Sequence, residues 1–259
     1  MKVNVYSLSG KKTTDALELP KVFEESVRPD LIKKAVLASQ TARYQPQGRD
    51  PFAGKRTSAE GWGTGRGASR ISRVKGSGYS AGGHGAFAPQ AVGGRNAHPP
   101  MVEKQIKKKI NAKERKLATA SAIAATAVKE LVIERGHIID KVPQIPLITT
   151  DELEALKTAK EVEKALSNLG ISADLERAKE KKVRSGKGTM RGRRYKKKKS
   201  VLLVIAKDDG ISKGAKNIPG IDIVKAEQLG VEQLAPGTHC GRLTVYTKSA
   251  IDKIAKRFE

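Results

Sequence analysis

Polar and apolar residues alternate from Lys2 to Tyr6, and Ser9-Gly10 follows as a turn, which predicts a short strand at a sheet edge. Leu17 and Leu19 predict a second extended piece before Pro20. Pro29-Asp30 opens a helix from Leu31 to about Ala42, with Leu31, Ala35 and Ala38 on one face and Ile32 and Val36 beside it. A longer helical pattern runs from about Val102 to Glu134: Ile106, Ile110, Leu117, Ala124, Val128 and Leu131 recur, and Gly136 ends it. Pro143-Gln-Ile-Pro-Leu-Ile148 predicts an extended run. Thr149 and Glu152 have capping-box spacing, predicting a helix from Glu152 to about Leu169, and Asp174 to Lys182 continues helically. Val201-Leu-Leu-Val-Ile-Ala206 is an unbroken apolar run, as in a parallel strand buried on both faces. Two more strands, Ile221–Val224 and Leu243–Tyr246, alternate with short helical stretches, and a helix from Lys248 to Phe258 closes the chain. Strands alternating with helices predict an α/β fold: a parallel or mixed sheet with helices on both faces.

One stretch, Tyr44 to Pro100, follows neither period. It holds 13 of the 25 glycines and no long apolar run. Nine cations lie from Arg43 to Pro100 (Arg43, Arg49, Lys55, Arg56, Arg66, Arg70, Arg73, Lys75 and Arg95), opposed only by Asp50 and Glu60. Glycine lets backbone approach a partner closely, and Arg and Lys find phosphates. The stretch is expected to be an arm that orders when buried in nucleic acid, inserted at residues 43–100 into a globular domain made of 1–42 and 101–259. Each limb of roughly 28 residues would reach at most ~90 Å.

Composition supports a polyanion partner. The chain carries 51 Lys and Arg against 27 Asp and Glu, a net charge of +24 and a pI near 10.1. No apolar run approaches the ~20 residues of a membrane span, and the N-terminus lacks signal-peptide features, so no membrane partner is expected. The single cysteine, Cys240, excludes an internal disulfide and suits a reducing cytoplasm. Aromatics are 4% of the chain, so phosphate and shape contacts should outweigh base stacking.

A second basic stretch, Lys181 to Lys199, has 11 Lys or Arg in 19 residues and no acid. It lies between a predicted helix and a core strand, so its ends are tied to the folded body. Tyr195 within it either stacks on a base or sugar or anchors the strip to the core. The lysines of the long helix, Lys107 and Lys108 among them, either meet the polyanion or form a solvated face.

Catalytic chemistry finds little support. Gly61-Trp-Gly-Thr-Gly-Arg-Gly67 and Gly186-Lys-Gly-Thr-Met-Arg-Gly192 both miss the dinucleotide fingerprint and follow no apolar strand. The histidines, His84, His98, His137 and His239, have no metal-ligand spacing. Asp208-Asp209 reads as a polar turn, and Cys240 as a small packed apolar residue. No enzyme, cofactor, metal or small-molecule substrate is expected. An RNA methyltransferase would need a glycine turn after a strand. A DNA-binding protein would need a helix-turn-helix, zinc finger or basic zipper.

Several stretches carry a family resemblance: Val27-Arg-Pro-Asp-Leu31, Ala53-Gly-Lys-Arg-Thr-Ser-Ala-Glu60, Gly61-Trp-Gly-Thr-Gly-Arg66, Arg73-Val-Lys-Gly76, Pro89-Gln-Ala-Val-Gly-Gly-Arg95 and Ala97-His-Pro-Pro100. Ser185-Gly-Lys-Gly-Thr-Met-Arg-Gly-Arg-Arg-Tyr195, Leu234-Ala-Pro-Gly-Thr-His239 and Gly241-Arg-Leu-Thr-Val-Tyr246 add to them. Nearly end to end, the chain resembles archaeal large-subunit ribosomal protein four; Gly76 to Gly85, longer and richer in glycine, departs from the pattern. The resemblance implies a three-layer α/β/α domain and an arm threading ribosomal RNA to the nascent-peptide exit tunnel. It implies a tip of Glu60, Gly61, Trp62, Gly63, Thr64, Gly65 and Arg66 at the tunnel wall. It also implies neighbours from the ribosomal protein twenty-two and eighteen families. Candidate RNA contacts are the nine arm cations with His98, Lys107 and Lys108, and on the strip Lys187, Arg191, Arg193, Arg194, Tyr195 and Lys196.

Overall fold

A computed structural model describes residues 1–258. They divide into two compact units, residues 1–40 with 109 onward, and Thr41–Lys108. In chain order the elements begin with β1 (Lys2–Tyr6), β2 (Lys12–Glu18) and α1 (Pro29–Thr41). Two short strands follow in the second unit, β3 (Glu60–Gly61) and β4 (Ser72–Arg73). Then come α2 (Ala112–Ala127), α3 (Lys129–Glu134), β5 (Leu147–Thr149), α4 (Ala159–Asn168) and α5 (Ser172–Lys179). The chain continues through β6 (Lys181–Val183), β7 (Tyr195–Lys197), β8 (Leu202–Ile205), α6 (Ile211–Ala215) and β9 (Asp222–Lys225). It ends with α7 (Val231–Leu234), β10 (Thr244–Thr247) and α8 (Lys248–Phe258).

The first unit is built on a six-stranded sheet of order β2-β1-β5-β10-β8-β9. Only the β1–β2 edge pair is antiparallel; the other pairings are parallel. The unbroken apolar run of β8 reflects its central place. Leu202 and Val204 pack with Ile32, Val36, Ile123, Tyr246 and Ile251, whereas Val201, Leu203 and Ile205 pack with Val132, Val162, Leu166, Leu175 and Ile211. Successive side chains point to opposite faces, so α1, α2 and α8 cover one side and α3 to α6 the other. The result is a three-layer α/β/α fold. Each fully buried Leu or Ile contributes about 1.5–3 kcal/mol of burial free energy.

Three sequence expectations are corrected. The long helix starts at Ala112 rather than Val102, and Val128, in extended conformation, separates α2 from α3. Upstream of Asn111 the pattern soon leaves the core: Ile110 still packs against it, but Val102 is 60% exposed, and Lys107 and Lys108 lie on irregular chain. The carboxylate of Glu114 accepts from the Asn111 N–H and fixes the real start. Thr149 caps nothing, because it sits buried in β5 and donates to the Tyr246 carbonyl at 3.3 Å. The working capping box is Thr158 with Glu161, and Asp151–Ala155 is a 3-10 turn. Finally, the helical reading through Lys182 fails: α5 stops at Lys179 and a strand follows.

Candidate nucleic-acid interface

Of residues 41–108 only Ala86 is fully buried, so this unit has no apolar core and is shaped by turns and polar contacts. Strands β3 and β4 pair Glu60 with Arg73 and Gly61 with Ser72. Arg73 bridges to Gly85 on its other side, Val74 N–H donates to the His84 carbonyl, and Gly83 N–H donates to the Val74 carbonyl, each at 3.0 Å. The chain thus turns twice, through 62–71 and through 75–84.

The first turn is organised by one aromatic ring. The guanidinium carbons of Arg73 and Arg66 lie 5.2 and 5.9 Å from the Trp62 ring centroid. Arg73 also donates to the Gly83 carbonyl and the Ser69 hydroxyl, each at 3.0 Å. Around it, Gly61, Gly63, Gly65 and Gly67 have no atom within 4 Å of where a Cβ would stand. The last three have φ between +61° and +85°, which glycine alone adopts without strain.

These contacts separate the candidate cations. Arg73 is half-buried and engaged by the protein itself. Arg56 ion-pairs with Asp50, whose carboxyl is held below its usual range by the Phe52 N–H and then by Arg56. Lys75 ion-pairs with Glu60 and depresses that carboxyl likewise, so the tip does not present a bare carboxylate. Arg95 is half-buried. Arg43, Arg49, Lys55, Arg66, Arg70, His98, Lys107 and Lys108 are exposed, as is Thr64.

In the first unit the basic strip forms a hairpin that sequence patterning missed. Strands β6 and β7 place Lys181 opposite Lys197, Lys182 opposite Lys196, and Val183 opposite Tyr195. All six residues are exposed. Like charges directly across a ladder oppose pairing, so this hairpin has cations where its own stability gains nothing from them. The loop is closed from within. Arg184 N–H donates to the Arg194 carbonyl at 2.8 Å, its Nε to the Arg193 carbonyl at 3.0 Å, and Arg193 N–H to the Gly188 carbonyl at 3.0 Å. Lys187, Arg191, Arg193, Arg194 and Lys196 are exposed. Tyr195 is 45% exposed with the Arg194 guanidinium 5.7 Å over its ring, so it does not anchor the strip to the core.

The anchor is a buried polar network at the hairpin base. Asp174, fully buried, accepts from the hydroxyl of Ser200 and from Arg177 Nε at 2.8 Å, with His137 Nδ1 at 3.1 Å. Arg177 also donates to the Lys199 carbonyl at 2.8 Å. Burial favours the neutral acid at Asp174, but the hydrogen bonds from His137 and Arg177 outweigh it and hold its pKa far below normal. Burial pushes His137 down, so it donates as a neutral ring. Arg242, fully buried, donates to the Ser200 and Gln233 carbonyls at 2.9 Å and pairs with Asp222 at 2.7 Å. Lys198 and Lys199 pair with Glu180 and Asp222. The chain leaving β7 is therefore fixed to the sheet edge while the loop beyond stays bare. Sequence reading passed over Asp174, His137 and Arg242 because isolated polar letters in apolar context carry no period. Asp208, by contrast, is the polar turn expected: it accepts from the Gly210 and Ser212 N–H groups.

Comparison with known proteins finds likeness in sequence along nearly the whole chain. Residues 17–257 match the model of the Ribosomal protein L4/L1 family. "Large ribosomal subunit protein uL4" of Methanosphaera stadtmanae is 54% identical over 259 residues, covering 100% of this chain and 98% of the relative. The protein of the same name from Methanopyrus kandleri is 52% identical over 258 residues, and that from Archaeoglobus fulgidus 51% over 257, each covering 99% of both chains. With a three-layer α/β/α unit, a coreless glycine-rich insertion and likeness at this level, the chain belongs to the ribosomal protein L4/L1 family.

Proposed function

We propose that the chain binds large-subunit ribosomal RNA through residues 43–100 and the β6–β7 hairpin, and that the tip from Glu60 to Arg66 lines part of the nascent-peptide exit tunnel. As a family member it is a structural, non-enzymatic constituent of the large ribosomal subunit, and its place of work is the cytoplasm. The observation that carries the RNA reading is the register of the hairpin. Lysine stands opposite lysine in exposed pairs, and no carboxylate pairs with Lys181, Lys182, Lys196 or Lys197 among the described residues. Such a ladder is unfavourable in water and is relieved by phosphate. Exposed Arg66 and Arg70 beside open glycines extend the same chemistry to the arm. Neighbours from the twenty-two and eighteen families of ribosomal proteins belong to this proposal too.

The test of the tip deletes Gly63 to Ala68, which spares both β3–β4 pairs and Trp62. The shortened chain should still enter large subunits and remain bound in ~0.5 M salt, where loose polycation binding dissociates. Nascent-chain stalling or sensitivity to tunnel-binding compounds should change. Loss of incorporation with normal tunnel behaviour in surviving particles would make the tip an assembly anchor instead.

A further inference from the structure

The segment Leu234-Ala-Pro-Gly-Thr-His239 has no part in the interface described so far, yet its backbone is unusual. Gly237 and Thr238 have φ of +78° and +74°. A β-branched residue in the left-handed region is strained, and such a conformation persists where its surroundings impose it and a site profits from it. Here Arg135 imposes it. Its guanidinium donates to the carbonyls of Pro236 at 2.9 Å, of His239, and of Cys240 at 3.4 Å. Gly241 lets this turn close on α3: a Cβ there would stand 2.5 Å from the Leu131 carbonyl oxygen.

Arg135, half-buried, differs from the other cations of this region. Arg177 has Asp174, Arg242 has Asp222, Lys198 has Glu180 and Lys199 has Asp222. Among the described residues Arg135 has carbonyls and no carboxylate. Burial lowers its pKa to about 10, which leaves it charged at neutral pH. It lines a pocket of about 700 Å³ together with Arg177, Lys198, Lys199, Thr238 and His239; Glu134 is the one carboxylate on the wall. Lys198 and Lys199 are also the residues that lead out of β7. The rim of the pocket is therefore continuous with the basic hairpin.

We propose that this pocket is a phosphate site distinct from the hairpin, taking a backbone phosphate of large-subunit ribosomal RNA against the turn Pro236–His239. The proposal rests on the RNA-binding reading above. A half-buried guanidinium without a carboxylate partner attracts an anion more strongly than a fully solvated lysine does. Continuity with the hairpin favours polymeric RNA over a free anion, since one strand can run from the loop cations to the pocket.

Two measurements test it. His239 is exposed, and only its backbone carbonyl bonds Arg135, so His239→Glu places a carboxylate at the mouth without disturbing the turn; thermal unfolding checks that the fold is intact. Binding of the full-length protein to large-subunit RNA should weaken about tenfold or more, with a salt slope lower by about one. Cys240, the only cysteine, lines the same pocket, so its alkylation by a small thiol reagent should slow when that RNA is bound. Inorganic phosphate at equal ionic strength should leave alkylation unchanged. If His239→Glu binds as the natural chain does while Arg191→Gln/Arg193→Gln/Arg194→Gln loses affinity, the pocket is not an RNA site and the hairpin reading stands. Should neither variant lose affinity, both readings fall together. Protection of Cys240 by inorganic phosphate would make this a free-anion site and overturn the RNA proposal.

Discussion

Neutralising the hairpin loop tests the electrostatic reading most directly, because the structure says how many charges are available. Arg191, Arg193 and Arg194 are exposed, and none has a carboxylate partner among the described residues. If each meets one phosphate, replacing all three by Gln removes about 2–3 units from the slope of log affinity against log salt. Over a fourfold rise, from 50 to 200 mM, each contact costs the natural chain roughly threefold in affinity. The triple variant should therefore escape ~20–40-fold of the natural loss while starting from weaker binding. Filter binding to large-subunit RNA at several potassium concentrations reads both quantities. Arg184→Gln is the control: Arg184 is half-buried and donates to the Arg193 carbonyl, so its loss should loosen the loop and leave the slope nearly unchanged. A triple variant with the natural slope would mean these arginines face water in the complex, and the reading would be wrong.

Other outcomes are equally specific. Limited proteolysis of the free chain should cut first between Gly48 and Arg95, because a unit whose only buried residue is Ala86 has little to offset ~1–2 kcal/mol of ordering entropy per residue; equal resistance of both units would reject this. His137 has a folded pKa below its unfolded value of about 6.5, so its contribution to stability is complete above that pH and is lost as pH falls through the folded value. Denaturant unfolding should show less stability at pH 5 than at pH 8, with a smaller difference in His137→Asn. Gly241→Ala, with φ of +81° and backbone 2.5 Å from the new Cβ, should cost about 1–3 kcal/mol or more of unfolding free energy, seen as a lower midpoint with the same denaturant slope.

The sheet was legible because burial on two faces writes itself as uninterrupted apolar letters. Val201 to Ala206 needed no context, and β9 and β10 were each found within one residue of their ends. Helix starts were less legible, since spacing alone cannot tell which Thr-x-x-Glu faces a free helix end. Thr149 was already inside a strand, and Thr158 did the capping. The false extension of α2 to Val102 has a similar cause: Ile106 keeps the period by chance on a segment where lysines outnumber apolar residues. The β6–β7 hairpin could not be found by pattern, because Lys-Lys-Val and Tyr-Lys-Lys carry no buried face. Its strands exist through a ladder and an anchored base, both of which depend on residues far away in sequence.

The arginines mark the limit of reading charge from composition. A formal +24 invites the view that every cation is a phosphate contact. In the folded chain Arg73, Arg177, Arg184 and Arg242 spend their donors on protein carbonyls, hydroxyls or carboxylates. A guanidinium suits that task because its fork can satisfy several acceptors at once, which a lysine ammonium does less rigidly. Loops that leave the sheet to meet a polyanion cannot bury apolar surface and keep their cations exposed too. They are shaped instead by arginines turned inward, and the same residue type then serves as both scaffold and contact. Substituting an inward arginine would alter RNA binding by loosening a turn, an effect that persists at every salt concentration. Substituting an outward one alters the salt slope. Measuring affinity at one ionic strength would confuse the two, and the distinction between Arg184 and Arg191 can be seen only in the slope.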